Sequence, residues 1–184
     1  YGIPLEEVTK DQRRDAKVIN FGVLYGMSPH GLSAATGMTF IQAKQFIDQY
    51  FTLRAPIRQY IDATLEKARV EGYVETYFGR RRPTPDIKSS NFMVRQSAER
   101  AAANMPIQGT EADLMKRAMI VVDQMLSDRA DQLLQIHDSI LVECDESDTE
   151  DIASQMRDIM ENIAPELPIR LRVDVSVGDN WGEA

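Results

Sequence analysis

Residues 133–144 read Leu-Leu-Gln-Ile-His-Asp-Ser-Ile-Leu-Val-Glu-Cys. Two apolar runs, LLQI and ILVEC, flank the polar pair His137-Asp138, which is the pattern of two strands folded back on each other at a tight bend. The stretch predicts an antiparallel hairpin with His137 and Asp138 at its tip. Downstream, Ser147 and Glu150 predict a capping box. The helix it opens carries Ile152, Met156, Ile159, Met160 and Ile163 at helical spacing, which assigns those Met residues to a core rather than to a cofactor. After Pro168, IRLRVDVSV alternates five apolar with four polar residues, a half-buried strand pattern.

Upstream of the hairpin the chain reads as helix. Thr9 with Gln12 predicts a capping box and Gly26 a stop; Thr39 with Gln42 opens a second helix to about Phe51. Ala55-Pro56 starts another that runs to about Val70, with Gly72 beyond. Tyr73–Tyr77 has strand propensity, and Gly79 followed by Arg80, Arg81 and Arg82 predicts a hairpin or turn whose basic tip suits backbone phosphate. A loop with Pro83 and Pro85 precedes a helical run from about Asn91 to Leu126. Pro106 should interrupt it, giving two helices or one kinked helix, because proline removes a donor and clashes one turn back. The fold class is therefore α+β: a helical region over residues 1–90, then residues 91–184 with a small antiparallel sheet and packing helices.

The chain has 184 residues, 43% of them hydrophobic, enough for a sizeable core in one large or two small domains. Its single cysteine, Cys144, excludes an internal disulfide framework, and no run approaches the ~20 apolar residues of a membrane span. A reducing cytoplasm is expected. The opening YGIPLEEV carries neither an initiator Met nor a basic-then-apolar signal pattern, and reads as an internal piece of a longer polypeptide. The formal net charge of −8 hides an asymmetry: residues 1–117 hold 17 Lys or Arg against 13 Asp or Glu, net +4, whereas residues 118–184 hold 4 against 16, net −12. A polyanionic partner should meet the first part. The acidic second part suits a solvated surface for most of its carboxylates, and divalent cations where phosphate must approach.

Residues 13–26, RRDAKVINFGVLYG, space Arg13, Lys17, Phe21 and Tyr25 four apart. Each such step advances about 6 Å and turns about 40°, so two cations and two aromatics fan along ~18 Å of one helix face. That is the size of a nucleoside triphosphate. Arg and Lys suit phosphate oxygens, and an aromatic face covers a sugar or base. The same spacing also suits a plain amphipathic helix with Val18, Phe21, Leu24 and Tyr25 in a core. Asp138 is the best catalytic candidate, since a carboxylate at a hairpin bend is presented rigidly to Mg²⁺. His137 beside it suits positioning rather than acid–base work. No role falls to His30.

The 13–26 segment resembles motif B, the fingers helix of family A DNA polymerases. The likeness continues through TYFGRRRPTPDIKSSN, ERAAANMPIQGTEADLMKRAM, QIHDSILVE and VDVSVGDNW, almost the whole chain. It implies a fingers-like region at 1–90 and a partial palm at 91–184 with the motif C hairpin. It also implies template-directed DNA synthesis from dNTPs on a primer-template, by a monomer, with Lys17 and Asp138 catalytic and Arg13, Lys17, Phe21 and Tyr25 on the dNTP. Phe at position 21 implies discrimination against dideoxynucleotides. Arg100, Asn104 and Gln108, again four apart, fall at primer-template positions together with His137. Arg, Asn and Gln donors probe the N3 and O2 acceptors of the minor groove, which occupy similar places in every base pair. By resemblance Asp138 is one of two aspartates holding two Mg²⁺ ions. One ion activates the primer 3′-hydroxyl, and the other steadies the triphosphate and departing pyrophosphate.

Two departures stand out. Ser139 occupies the place where motif C usually carries Glu, and motif A, which supplies the second aspartate, is expected just upstream of Tyr1. Glu143 and Asp145 are no substitute, lying ~17 Å or more from the bend at about 3.4 Å per residue. Half a metal site is expected, and the piece alone should be inactive. Two other classes remain: a non-catalytic nucleic-acid-binding module derived from such a polymerase, and an acidic helical interaction protein in which every stripe is structural. A triphosphate cradle serves neither.

Overall fold

The computed structural model describes residues 3–183. Six α-helices, three short 3-10 turns and two two-stranded antiparallel sheets make up the described residues, an α+β fold. The chain divides into two compact units, one formed by residues up to Glu75 together with Arg81–Pro106, the other by Thr76–Arg80 and everything from Ile107 onward.

In the first unit, α1 (Lys10–Leu24), α3 (Phe40–Leu53) and α4 (Ala55–Glu71) begin where the sequence predicts, whereas α2 (Pro29–Thr36), opened by Ser28 accepting from the Gly31 amide, is a helix the sequence reading did not assign. Thr9 and Thr39 each close a full capping box with Gln12 and Gln42, satisfying amide donors that a helix start leaves bare. Gly72 ends α4 at φ +78°. Val23, Leu32, Ala43 and Tyr50 form one buried cluster, backed by Ile19, Phe46 and Ile47. A second cluster joins Ala68, Val74, Ile87, Ala102 and Met105. The short strands β1 (Tyr73–Glu75) and β2 (Arg81–Pro83) pair as the expected hairpin.

Helix α5 (Phe92–Leu126) is one helix of 35 residues with Pro106 in its interior. Pro106 therefore does not split the run into two helices. A proline there costs about 3 kcal/mol in lost bond and clash, but buried anchors flank it: Ala102 and Met105 before, Met115, Ala118 and Val122 after. Tertiary packing overrides the local penalty.

The second unit's core is Val122, Leu126 and Ile152, with Ile140, Val142, Met156, Ile159 and Met160 packed on it. The Met residues are core, as expected. The hairpin of β3 (Ala130–Ile136) and β4 (Ser139–Cys144) forms with a register irregularity between Gln132 and Leu134. Helix α6 (Thr149–Glu161) lacks the Ser147–Glu150 capping box, and Ile163 falls beyond its end. A 3-10 turn, Glu146–Asp148, leads into it instead, and Arg129 ties Asp148 and Asp151 at 3.1 and 2.6 Å. The strand expected over 169–177 does not form. Its alternation survives only in the middle, with Leu171, Val173 and Val175 half-buried and Arg172, Asp174 and Ser176 exposed, while Ile169 and Val177 at the two ends are exposed. Period two records which side chains face inward, but a strand needs a neighbour to bond, and neither two-stranded sheet pairs with this segment. No described helix is long and apolar enough to cross a membrane.

Candidate functional site

The inward face of α1 is fixed by Val23, 1% exposed, and Ile19, with Asn20 accepting a 3.0 Å hydrogen bond from the Tyr50 hydroxyl. Arg13, Lys17, Phe21 and Tyr25 are all exposed. The Phe21 and Tyr25 rings lie within 13° of parallel, centroids 6.3 Å apart, yet remain 49% and 36% exposed. The packed alternative for this helix is thus excluded, since Val18 and Phe21 face out and the core is filled from the other side. Arg14 takes the nearby carboxylates of Asp11 and Asp15. Arg13 and Lys17 form no ion pair among the described residues. An unneutralised cation pair followed by a stacked aromatic pair offers phosphate donors at one end and flat apolar surface at the other.

Two residues of the α5 stripe reach the end of this helix. Asn104 Nδ2 donates to the Tyr25 carbonyl at 3.5 Å, and the Arg100 stem passes so close to Gly26 that a Cβ there would lie 3.1 Å from Cγ. Gln108, also exposed, belongs to the α5 residues of the second unit.

In the second unit, β3 and β4 end on the pair Ile136–Ser139, leaving a two-residue loop with Asp138 exposed at the tip. Strand twist favours such loops when a central residue takes positive φ, and His137 does so at +52°. A non-glycine residue held there costs of order 1–3 kcal/mol. Side chains tie the loop from both flanks: Ser139 Oγ donates to the Ile136 carbonyl at 2.9 Å, and Gln135 Nε2 donates to the His137 carbonyl. The Asp138 carboxylate makes no hydrogen bond or ion pair among the described residues. Mg²⁺ takes one or two protein carboxylates together with substrate phosphates, so Asp138 fits as one such ligand. No group of three or more His, Cys, Asp or Glu side chains able to hold a metal occurs among the described residues.

A buried polar network escaped sequence reasoning. Asp113, 5% exposed on α5, accepts hydrogen bonds from Thr76 Oγ1 at 2.8 Å and from Arg80 Nε. Thr76 in turn accepts from the Arg80 amide, and the Tyr77 amide donates to Thr110. Burial pushes the Asp113 carboxyl up, but the Arg80 and Thr76 hydrogen bonds and the Arg80 and Lys116 charges outweigh it and hold the group below the usual aspartate range. Arg117 lies 3.7 Å over the Phe78 ring and pairs with Glu166. The basic triplet is accordingly not a uniform phosphate surface. Arg80 serves Asp113, Arg81 stacks on Tyr73 at 4.3 Å and reaches Glu75, and Arg82 is the member with no ion pair among the described residues. The sequence offered no local signal for it, since Asp113 stands among Thr110, Glu111, Lys116 and Arg117 like any solvated helix residue.

The model of DNA polymerase family A matches residues 1–183. The chain is 45% identical over 182 residues to the thermostable DNA polymerase I of Thermus aquaticus, covering 98% of this chain and 22% of that protein. It is 44% identical over 187 residues to DNA polymerase I of Pseudomonas aeruginosa, covering 100% of this chain and 20% of that one. Among solved structures, the POL domain of Pol1 from M. smegmatis, in complex with DNA primer-template and dNTP, superposes with a TM-score of 0.92 at 40% identity, over 99% of this chain and 32% of that one. The chain thus spans about a fifth of the length of the DNA polymerase I relatives it matches. Match, identity and fold agree, and the chain belongs to DNA polymerase family A.

Proposed function

We propose that this chain is the fingers and part of the palm of a longer template-directed DNA polymerase, with residues 1–90 as fingers and 91–184 as partial palm. The observation that carries the proposal is the exposed face of α1, where Arg13 and Lys17 carry no ion pair and Phe21 stacks on Tyr25. Arg13 and Lys17 bind the triphosphate of a dNTP, Lys17 neutralising charge that develops on transfer. Phe21 lies along the sugar and Tyr25 at the base. Arg100, Asn104 and Gln108 contact the minor-groove edge of the primer-template, and His137 the primer terminus. Asp138 contributes one carboxylate to Mg²⁺, which when bound supplies positive charge to the reacting phosphate; the second carboxylate comes from outside this chain. The dNTP and primer-template bound by the M. smegmatis neighbour support this choice of partners. The protein works as a monomer in the cytoplasm.

The purified chain tests this directly. Saturating dNTP should stabilise it, by about 2.7 kcal/mol at a hundredfold excess over Kd, while primer extension stays undetectable for want of the second carboxylate. The longer protein should extend primers. Extension by the chain alone, or no thermal shift with any dNTP, overturns the proposal. Ser139 favours one rival: a polymerase-derived binding module, whose longer protein would be inactive until Ser139→Glu restored synthesis.

A further inference from the structure

Among the described residues four glycines have positive φ: Gly26, Gly37, Gly72 and Gly79. At the last three a Cβ would meet nothing within 4 Å, so turn geometry alone accounts for them. Gly26 differs. A Cβ there would lie 3.1 Å from Arg100 Cγ and 3.4 Å from Cδ, besides being strained at φ +86°. It follows the last turn of α1, where the Gly26 amide donates to the Val23 carbonyl and the Met27 amide to the Gly22 carbonyl, at 3.1 and 2.8 Å. This paired C-terminal closure wants a left-handed residue at that position. One residue earlier, the Tyr25 carbonyl accepts from Asn104.

We infer that Gly26 is a positioning residue: its missing side chain lets the Arg100 stem settle against the end of α1, beside the Asn104 bond to the Tyr25 carbonyl, holding the duplex-reading side chains of α5 in register with Tyr25. The inference rests on the nucleotide and primer-template roles proposed above. A mispaired terminus that displaces Arg100 or Asn104 then disturbs Tyr25 with no intervening element, so match checking and nucleotide seating share one joint.

Primer extension by the full-length polymerase carrying this chain tests the idea. Gly26→Ala should lower kcat about tenfold from matched termini, as small misplacements do, with the dNTP KM changed less than about twofold. Gly26→Asn separates space from strain, because Asn tolerates left-handed φ but carries the same Cβ; it should be as impaired as Ala. With Arg100→Ala already present, Gly26→Ala should cost less than about twofold more, the non-additivity of a pair in contact. Thermal unfolding of the same four proteins gives a second cycle independent of activity, in which Gly26→Ala should lower Tm less when Arg100 is absent. Additive losses in both cycles, or wild-type rates with Asn, would reduce Gly26 to a helix stop. A wild type unable to extend primers defeats the functional proposal alone, while the unfolding cycle still decides the Gly26–Arg100 contact.

Discussion

The face of α1 and the tip of the β3–β4 hairpin present chemistry in opposite ways. On α1 the four side chains proposed to hold a nucleotide come from one continuous helix, so their geometry is set by a 3.6-residue repeat and a capping box. At the hairpin a single carboxylate, Asp138, stands on a two-residue loop held by its own flanks. The first arrangement is distributed and self-contained. The second is concentrated and needs ligands from other segments, since metal coordination draws on several groups at once. Loss of one member should therefore be graded on the helix and severe at the tip.

The largest effect is expected from Asp138→Asn in the full-length protein. An amide lacks the charge that holds Mg²⁺, and losing several kcal/mol of transition-state stabilisation means a fall of about a thousandfold or more in kcat. Steady-state extension rates check this; a fall no larger than that caused by Lys17→Ala would make the tip no more critical than one stripe residue. Lys17→Ala should cost about 3 kcal/mol, comparable to removing one preorganised donor, read as a 10²–10³-fold loss in kcat/KM for dNTP. Unchanged kinetics would return Lys17 to the solvated surface. The smallest effect concerns stability and serves as a control touching neither region. Asp113→Ala should destabilise by about 2 kcal/mol, the scale of hydrogen bonds to a charged group. Because the folded-state pKa of Asp113 lies below its ordinary value, its contribution is complete above about pH 4 and is lost as pH falls further, through the folded value. Tm measured from pH 6 down to pH 2 should fall less steeply in the variant than in wild type over that acid range.

What the sequence conveyed followed from how local each feature is. Both Thr/Gln capping boxes, the helix starts at Lys10, Phe40 and Ala55, and the bend at His137-Asp138 depend on residues within one turn of each other, and all were legible. Resemblance was needed to orient α1, because Val18, Phe21 and Tyr25 are apolar enough for a core and periodicity alone does not say which face is buried. Long-range causes were not legible. Nothing near Pro106 announces that buried anchors on both sides keep α5 whole, and the alternation after Pro168 cannot reveal that no sheet neighbour pairs with it. The Asp113–Arg80–Thr76 network spans more than thirty positions and carries no periodic signal.

The turn at His137 also bears on the order of folding. Its closing pair, Ile136–Ser139, spans three positions in sequence, so little chain entropy is lost in bringing the ends together. Hairpins of this kind zip in about 1–10 μs, far ahead of contacts between distant segments, which slow folding as their sequence separation grows. The left-handed residue and the bonds from Ser139 and Gln135 are thus established early. Asp138 is a carboxylate whose presentation is inherited from an early, local event in its unit, settled before contacts between distant segments form.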